Sequence, residues 1–257
     1  MNYETILFDA ADHVATITIN RPERLNAFNQ RMCEEFEDAW QVIREEDDIH
    51  AVVLRAAGDR AFCTGVDVTN GINKPPNFWA WDDPGVRLGP KANRVWKPVV
   101  CAVHGMCAGG AFYWLNESDI IVCGESATFF DPHVTYGMTS ALEPIGLARR
   151  IPLGEVLRWA LLGLDERMSS GRALQIGLVS EVIPDGELWE RAAELAAIIA
   201  AKPTVATQGT TKAIWESLDM TRSGAQQTGL MYTQLANPVG QPLVDRKTFV
   251  RPEWRLR

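Results

Sequence analysis

The apolar positions of the chain change period as it runs, and those changes mark out its elements. Around Tyr3–Phe8 and Val14–Ile19 apolar and polar residues alternate, on either side of the turn-like Ala10-Ala11-Asp12-His13. A period of two broken by a polar turn predicts a β-hairpin. Arg21-Pro22 closes its second strand, because proline cannot donate to a ladder. From Asn26 the spacing lengthens. Phe28, Met32, Phe36, Trp40 and Ile43 recur every three or four residues, which predicts a helix with one buried face running into Glu45-Glu46-Asp47-Asp48. Ala51–Leu54, Pro98–Val103, Asp119–Val122 and Ala127–Phe130 are short apolar runs that read as buried strands, with a short helix ending at Asn116 among them. Residues 68–95 have no period, contain Pro75, Pro76 and Pro84, and read as a long loop with at most one helical turn. A loop of that length is uncommon unless it carries function.

Beyond this the pattern is helical, over Leu147–Arg150, Glu155–Leu162, Ser170–Ile176, Glu187–Ala201, Val205–Ser217 and Gly224–Leu235. Strands alternating with helices in the first 150 residues predict an α/β fold. No flexible linker interrupts the chain. Residues 1–200 are expected to form the core, and residues 201–257 a helical oligomerisation extension of the same domain.

Composition narrows the function classes. Of 257 residues 46% are hydrophobic and 23% charged, which excludes disorder, collagen and coiled coil as the main organisation. The net charge of −8 argues against non-specific nucleic-acid binding, which needs clustered Lys and Arg. It leaves room for an anionic small ligand on a local basic patch. The five cysteines include no CxxC pair and read as buried, reduced thiols. The N-terminal MNYETILFDA has no basic n-region, and the apolar stretch Val99 to Leu115 is short and broken by glycines. The expectation is a cytoplasmic protein with neither membrane nor nucleic-acid partner. His13, His50 and His104 read as structural, with no Cys/His spacing suited to a metal.

Two glycine-containing turns follow buried strands: Cys63-Thr64-Gly65-Val66-Asp67 and Ala108-Gly109-Gly110-Ala111. Glycine permits a sharp turn that leaves backbone N–H groups unpaired, and the second turn opens a helix. Such N–H groups together form an oxyanion hole for an enolate. Taken singly, each turn also reads as a device for close helix packing. No G-x-G-x-x-G is present, so the dinucleotide fingerprint is excluded.

Six segments in order resemble motifs of the crotonase, or enoyl-CoA hydratase/isomerase, superfamily. They are Asn20-Arg21-Pro22-Glu23-Arg24-Leu25-Asn26-Ala27-Phe28; Ala61-Phe62-Cys63-Thr64-Gly65-Val66-Asp67; His104-Gly105 with Ala108-Gly109-Gly110; Ser118-Asp119-Ile120-Ile121; Ser126-Ala127-Thr128-Phe129; and residues 173–182, ALQIGLVSEV. The resemblance spans nearly the whole chain. It implies a spiral of ββα turns, a C-terminal helical region that builds a homotrimer or dimer of trimers, and an acyl-CoA thioester substrate. Coenzyme A then enters as part of the substrate, and no separate cofactor is expected. The resemblance maps the oxyanion hole onto the N–H groups of Val66 and Gly110. It maps the adenine and pantetheine onto Arg24, Leu25, Ala27, Ala61, Thr64 and Asp67, and the nucleotide phosphates onto Lys247. The variable segment after Asp67 would help form the acyl pocket, with Trp79, Trp81 and Phe112 lining space for a bulky or ring-containing acyl group. Packing across a trimer is the other reading of the two tryptophans.

The departures from the family pattern bear on the reaction. Family hydratases carry two Glu that hold and activate water, and this chain has Tyr113 and His133 at the corresponding positions. His133 is the residue suited to replace a carboxylate, since imidazole accepts or donates a proton near neutrality. Glu143 follows ten residues later, just before an expected helix, and either joins His133 or complements the helix dipole. Asp131 orients His133 or caps the local turn. Tyr113, between Phe112 and Trp114, contacts substrate or packs in the core. The leading expectation is an enolate-forming acyl-CoA hydratase or isomerase of fatty-acid or ring-compound metabolism. The alternatives are a carbon–carbon bond hydrolase of a β-dicarbonyl substrate and a non-catalytic acyl-CoA binder.

Overall fold

The alternating N-terminal runs pair antiparallel as β1 (Ile6–Ala11) and β2 (Val14–Ile19), with Ala11 opposite Val14. Asp12 and His13 make the turn with φ of 51° and 65°, the two left-handed residues that match the twist of a tight hairpin. The computed structural model describes residues 3–73, 76, 77, 79, 83–250, 253 and 256. The first helix, α1 (Gln30–Glu45), begins later than the apolar spacing predicts. Asn29 caps it by accepting the Met32 N–H at 3.0 Å, and Phe28 stays outside in an extended bridge to Val66. Phe28 shares the helix's period only because its ring enters the same core.

Three strand pairs follow: β3 (Ala51–Ala56) with β4 (Ala61–Cys63), β5 (Val99–Val103) with β6 (Met106–Ala108), and β7 (Ile120–Gly124) with β8 (Thr128–Phe130). Helix α2 (Phe112–Glu117) lies between the second and third pairs. After them come α3 (Leu142–Leu147), α4 (Leu153–Leu161), β9 (Met168–Ser169), α5 (Ser170–Ile176), β10 (Glu181–Ile183) and α6 (Leu188–Ala200). The first strand of each pair joins a six-stranded sheet ordered β1-β2-β3-β5-β7-β10, and the second joins a four-stranded sheet ordered β4-β6-β8-β9. Each turn of the spiral therefore adds one parallel strand to each sheet. Helix α3 replaces the expected Leu147–Arg150 segment. Pro144 sits in its first turn, where a missing N–H breaks no bond, so Glu143 is inside the helix and not ahead of it.

The inner strands β3, β5 and β7 are buried on both faces, which explains why they read as continuous apolar runs, whereas β1 at the edge keeps an exposed face. Val52, Leu54, Val99, Cys101 and Val103 face the main core with α1, whereas Val53, Val100 and Ala102 face α6 through Leu188, Ala192 and Ala196. All five cysteines are buried and unpaired.

The chain divides into two compact units, residues 1–200 and 201–257. In the second, α7 (Thr204–Ser217) and α8 (Arg222–Gly240) pack on one another, and Thr221 caps α8. Among the described residues no helix is long and apolar enough to cross a membrane, and no three His, Cys, Asp or Glu side chains gather as metal ligands.

Candidate active site

Strands β4, β6 and β8 run parallel, Cys63 beside Cys107 and Cys107 beside Phe129, with one register shift in β4 between Ala61 and Cys63. Their carboxyl ends therefore emerge side by side, the place where α/β sheets commonly hold ligands. A cleft of about 580 Å³ opens there, lined by the turn after each of the three strands.

The first two turns form one wall. Gly65 and Gly109 take φ of +90° and +52°, conformations that favour glycine. A Cβ on Gly65 would lie 3.3 Å from the Gly110 nitrogen, so the two turns touch. Phe28 clamps the first turn by donating its N–H to the Gly65 carbonyl at 2.9 Å and accepting the Asp67 N–H at 2.7 Å. Val66 lies between these bonds. Among the described residues, neither its N–H nor that of Gly110 meets an acceptor. A Cβ on Gly110 would come within 2.5 and 2.8 Å of the Phe28 ring, which leaves room there for glycine only.

The loop before Phe28 is fixed from within. Arg21 pairs with Asp67 at 2.9 Å, and Asn26 donates to the Ala57 and Ala61 carbonyls at 2.9 and 2.8 Å. Leu25 and Asn26 accept φ of 52° and 56° under these restraints.

The opposite wall carries the titratable groups. Asp131, fully buried at the end of β8, accepts His133 Nδ1 at 2.5 Å, the His133 N–H at 3.1 Å and the Ser140 hydroxyl. An ionised carboxylate only accepts, so Nδ1 carries a proton and Nε2 is left for the cleft. His133 Nε2 lies 3.9 Å from Glu143 Oε1. Burial raises the Asp131 pKa, but the bonds from His133 and Ser140 outweigh it and hold the carboxyl below its usual range. The same bond to Asp131 lifts the His133 pKa against the opposing effect of burial. Burial raises the Glu143 pKa. Both shifts are upward, so Glu143 keeps its proton, and His133 its second proton, to a higher pH than the free side chains do.

Tyr113 stands on α2 beside this wall. Its hydroxyl donates to Asp83 Oδ2 at 2.5 Å, and burial with that bond pushes its pKa far up.

The profile of the enoyl-CoA hydratase/isomerase family matches residues 9–236. The chain belongs to this family. An (E)-benzylidenesuccinyl-CoA hydratase of Thauera aromatica is 28% identical over 246 residues, covering 94% of this chain and 93% of its own. A mitochondrial Delta(3,5)-Delta(2,4)-dienoyl-CoA isomerase of Rattus norvegicus is 33% identical over 225 residues, covering 81% and 68%. The crystal structure of an enoyl-CoA hydratase/isomerase from Mycobacterium paratuberculosis matches with a TM-score of 0.83 at 35% identity, over 91% of this chain and 90% of that one. The crotonase fold is therefore the fold of this chain, and family members act on acyl-CoA thioesters.

Most of the residues singled out from the sequence converge. His133, Glu143, Tyr113, Val66, Gly110, Arg24, Leu25, Ala27, Thr64 and Asp67 all line the cleft, with Asp131 directly behind His133. The Asp67 carboxylate is nevertheless taken up by Arg21 and by the Thr69 and Asn70 N–H groups, so its part is to shape the turn. Three expectations are corrected. Phe112 has no exposure and packs on Trp159 with ring centroids 4.4 Å apart, because it leaves α2 on the core side, opposite to an acyl pocket. Ala61 is buried in β4 and serves through its carbonyl, which holds Asn26. Trp79 is 96% exposed and does not line the cleft. Trp81 lies outside the described residues. Lys247 belongs to the helical unit, is exposed, and donates its N–H to Asp245 at 2.9 Å.

Two polar residues of the site escaped the sequence reading, Asp83 in the cleft and Ser140 behind Asp131. Ser140 gave no signal. Asp83 did, since Asp83-Pro84 is a cap-and-proline start that the aperiodic loop obscured.

Proposed function

We propose that the cleft binds an acyl-CoA thioester and moves protons at its α-carbon through an enolate, with His133 and Glu143 as the acid/base pair. The observation that carries this reading is the 3.9 Å approach of His133 to Glu143 in the same cleft as two unpaired N–H groups. The thioester oxygen accepts from Val66 N–H and Gly110 N–H, and these bonds strengthen as charge moves onto it. Losing one such donor typically costs about 10²–10³ in rate. Arg24, Leu25, Ala27 and Thr64 border the path of the nucleotide and pantetheine.

For hydration, Glu143 takes a proton from water as its oxygen bonds to the β-carbon. The double-bond electrons move to the thioester oxygen, and the resulting enolate takes a proton at the α-carbon from the His133 imidazolium. Protonated Glu143 and neutral His133 then exchange a proton across their short gap, directly or through one water, and the site is reset. For isomerisation the same pair removes a proton from one carbon and returns it to another. Relatives named as a hydratase and as an isomerase support both branches. The exposed Ile214, Leu230, Leu235 and Val239 of the helical unit support its assembly into an oligomer.

The Asp131–His133 bond favours a second reading, cleavage of a β-dicarbonyl compound. There neutral His133 takes a proton from water attacking the carbonyl, Asp131 stabilises the imidazolium formed, and the leaving group is the enolate. The test is mass spectrometry of saturated, unsaturated and β-keto acyl-CoAs after incubation in deuterated water. Added water or α-deuterium is the expected result. Two carbon fragments select the second reading. Tight binding without change in any thioester overturns both and leaves a non-catalytic binder.

A further inference from the structure

The cleft holds a second polar cluster that the proton transfers above do not use. Asp83 precedes the 3-10 turn Pro84–Leu88 and caps it, its Oδ1 accepting the Gly85 N–H at 2.9 Å. Its Oδ2 accepts the Tyr113 hydroxyl at 2.5 Å. Gly85 makes this contact possible, because a Cβ there would lie 2.7 and 2.9 Å from ring atoms of Tyr113. Tyr113 in turn stands one helical turn beyond Gly110, and its ring meets Phe28 edge-on with centroids 6.3 Å apart. Both Asp83 and Tyr113 line the cleft. Loop, helix and oxyanion wall are thus locked together around one carboxylate–phenol pair.

The chemistry of the pair is one-sided. Tyrosine has a single hydroxyl proton, and it is committed to Asp83, so the phenol oxygen offers only lone pairs to the cleft. A carboxylate has about four acceptor positions, and among the described residues Asp83 uses two. Phe28 packs edge-on against the Tyr113 ring, Val66 and Ile72 line the same cleft, and the nearby titratable group, Glu143, is itself an acceptor when ionised. A plain hydrocarbon acyl group would strip water from these acceptors and return nothing, whereas a donor would replace the lost hydrogen bond.

We propose that Asp83 and Tyr113 form a specificity subsite for an acyl group carrying a hydrogen-bond donor, a hydroxyl or phenol, away from the thioester. The subsite rests on the acyl-CoA reading and narrows its substrate class. Asp83 is the specificity-determining residue and Tyr113 its positioning residue.

The test reads binding, without turnover, of two saturated pairs: 3-phenylpropanoyl-CoA with 3-(4-hydroxyphenyl)propanoyl-CoA, and hexanoyl-CoA with 6-hydroxyhexanoyl-CoA. Calorimetry on the wild-type protein is expected to give at least one hydroxylated member about tenfold tighter Kd than its partner. Asp83→Ala brings that ratio below about twofold, and Tyr113→Phe, which leaves the carboxylate in place but unguided, gives an intermediate ratio. A wild-type ratio near one in both pairs overturns the subsite without recourse to any variant, and so does a preference that persists in Asp83→Ala. Failure of all four thioesters to bind is a different result, and it overturns the acyl-CoA reading itself together with the subsite.

Discussion

The two walls of the cleft are built from different materials. The wall proposed to hold the thioester oxygen is backbone, two N–H groups in turns where the φ of Gly65 and Gly109 and the close packing of Gly110 favour glycine. The titratable wall is side chain, assembled from Asp131 and His133 after β8, Ser140 in the next loop and Glu143 in α3. A backbone donor does not depend on its own side chain, so a valine at position 66 is compatible with the proposed role. It depends entirely on the space its neighbours leave. A side-chain acid can be drawn from any segment that reaches the cleft, so the site keeps acid/base groups even though the family resemblance leads one to expect carboxylates at Tyr113 and His133.

Substitutions separate the walls, beginning with the largest effect. His133→Ala should lower kcat/KM by about 10³-fold or more while acyl-CoA Kd stays within about threefold, because only proton transfer is lost. Val66→Pro removes the N–H and should lower kcat by about 10²–10³, whereas Val66→Ala keeps the N–H and should lower it less than tenfold. An equal loss in the two Val66 variants would remove the backbone role. Gly110→Ala forces a Cβ against Phe28 and should cost about 1–3 kcal/mol of stability in denaturant unfolding, besides displacing its N–H.

The pH profile carries a sign. With Glu143 as base and His133 as acid, activity falls at low pH as the raised Glu143 carboxyl takes its proton, and at high pH as the raised His133 loses one. Asp131→Asn removes the bond that holds the imidazolium, so the alkaline limb should move to lower pH. A profile that instead rises through the His133 titration would fit the hydrolytic reading, in which neutral His133 is the base. Ser140→Ala removes one of the Asp131 bonds but leaves the His133 bond in place, and should give the smallest effect, a loss of a few fold in kcat/KM.

How much of this was legible in the sequence follows from how local each cause is. The α/β class was legible because buried strands write continuous apolar runs. The spiral and the mapping of an oxyanion hole onto Val66 and Gly110 came from the six motifs that resemble the crotonase family, which are themselves local in sequence. Strands β6, β9 and β10 were not, since two or three residues are too few to show a period. His133, Asp131 and Glu143 could be named, but only folding shows that an imidazole and a carboxylate ten residues apart come within 3.9 Å. Phe112 was misplaced because a helix six residues long shows no face in sequence, and neighbours on it point about 100° apart. The Asp83–Tyr113 bond joins positions thirty residues apart and needed the structure.

The most direct measurement is α-proton exchange of a bound acyl-CoA in deuterated water, followed by mass spectrometry in the wild type, His133→Ala and Glu143→Gln, with thioester binding measured in parallel. Exchange in the wild type that falls at least about a hundredfold in both variants, with binding retained, is the predicted result. Exchange that survives both substitutions, or that never occurs in a wild-type protein that binds the thioester tightly, would contradict the assignment of His133 and Glu143 as the pair that moves the proton.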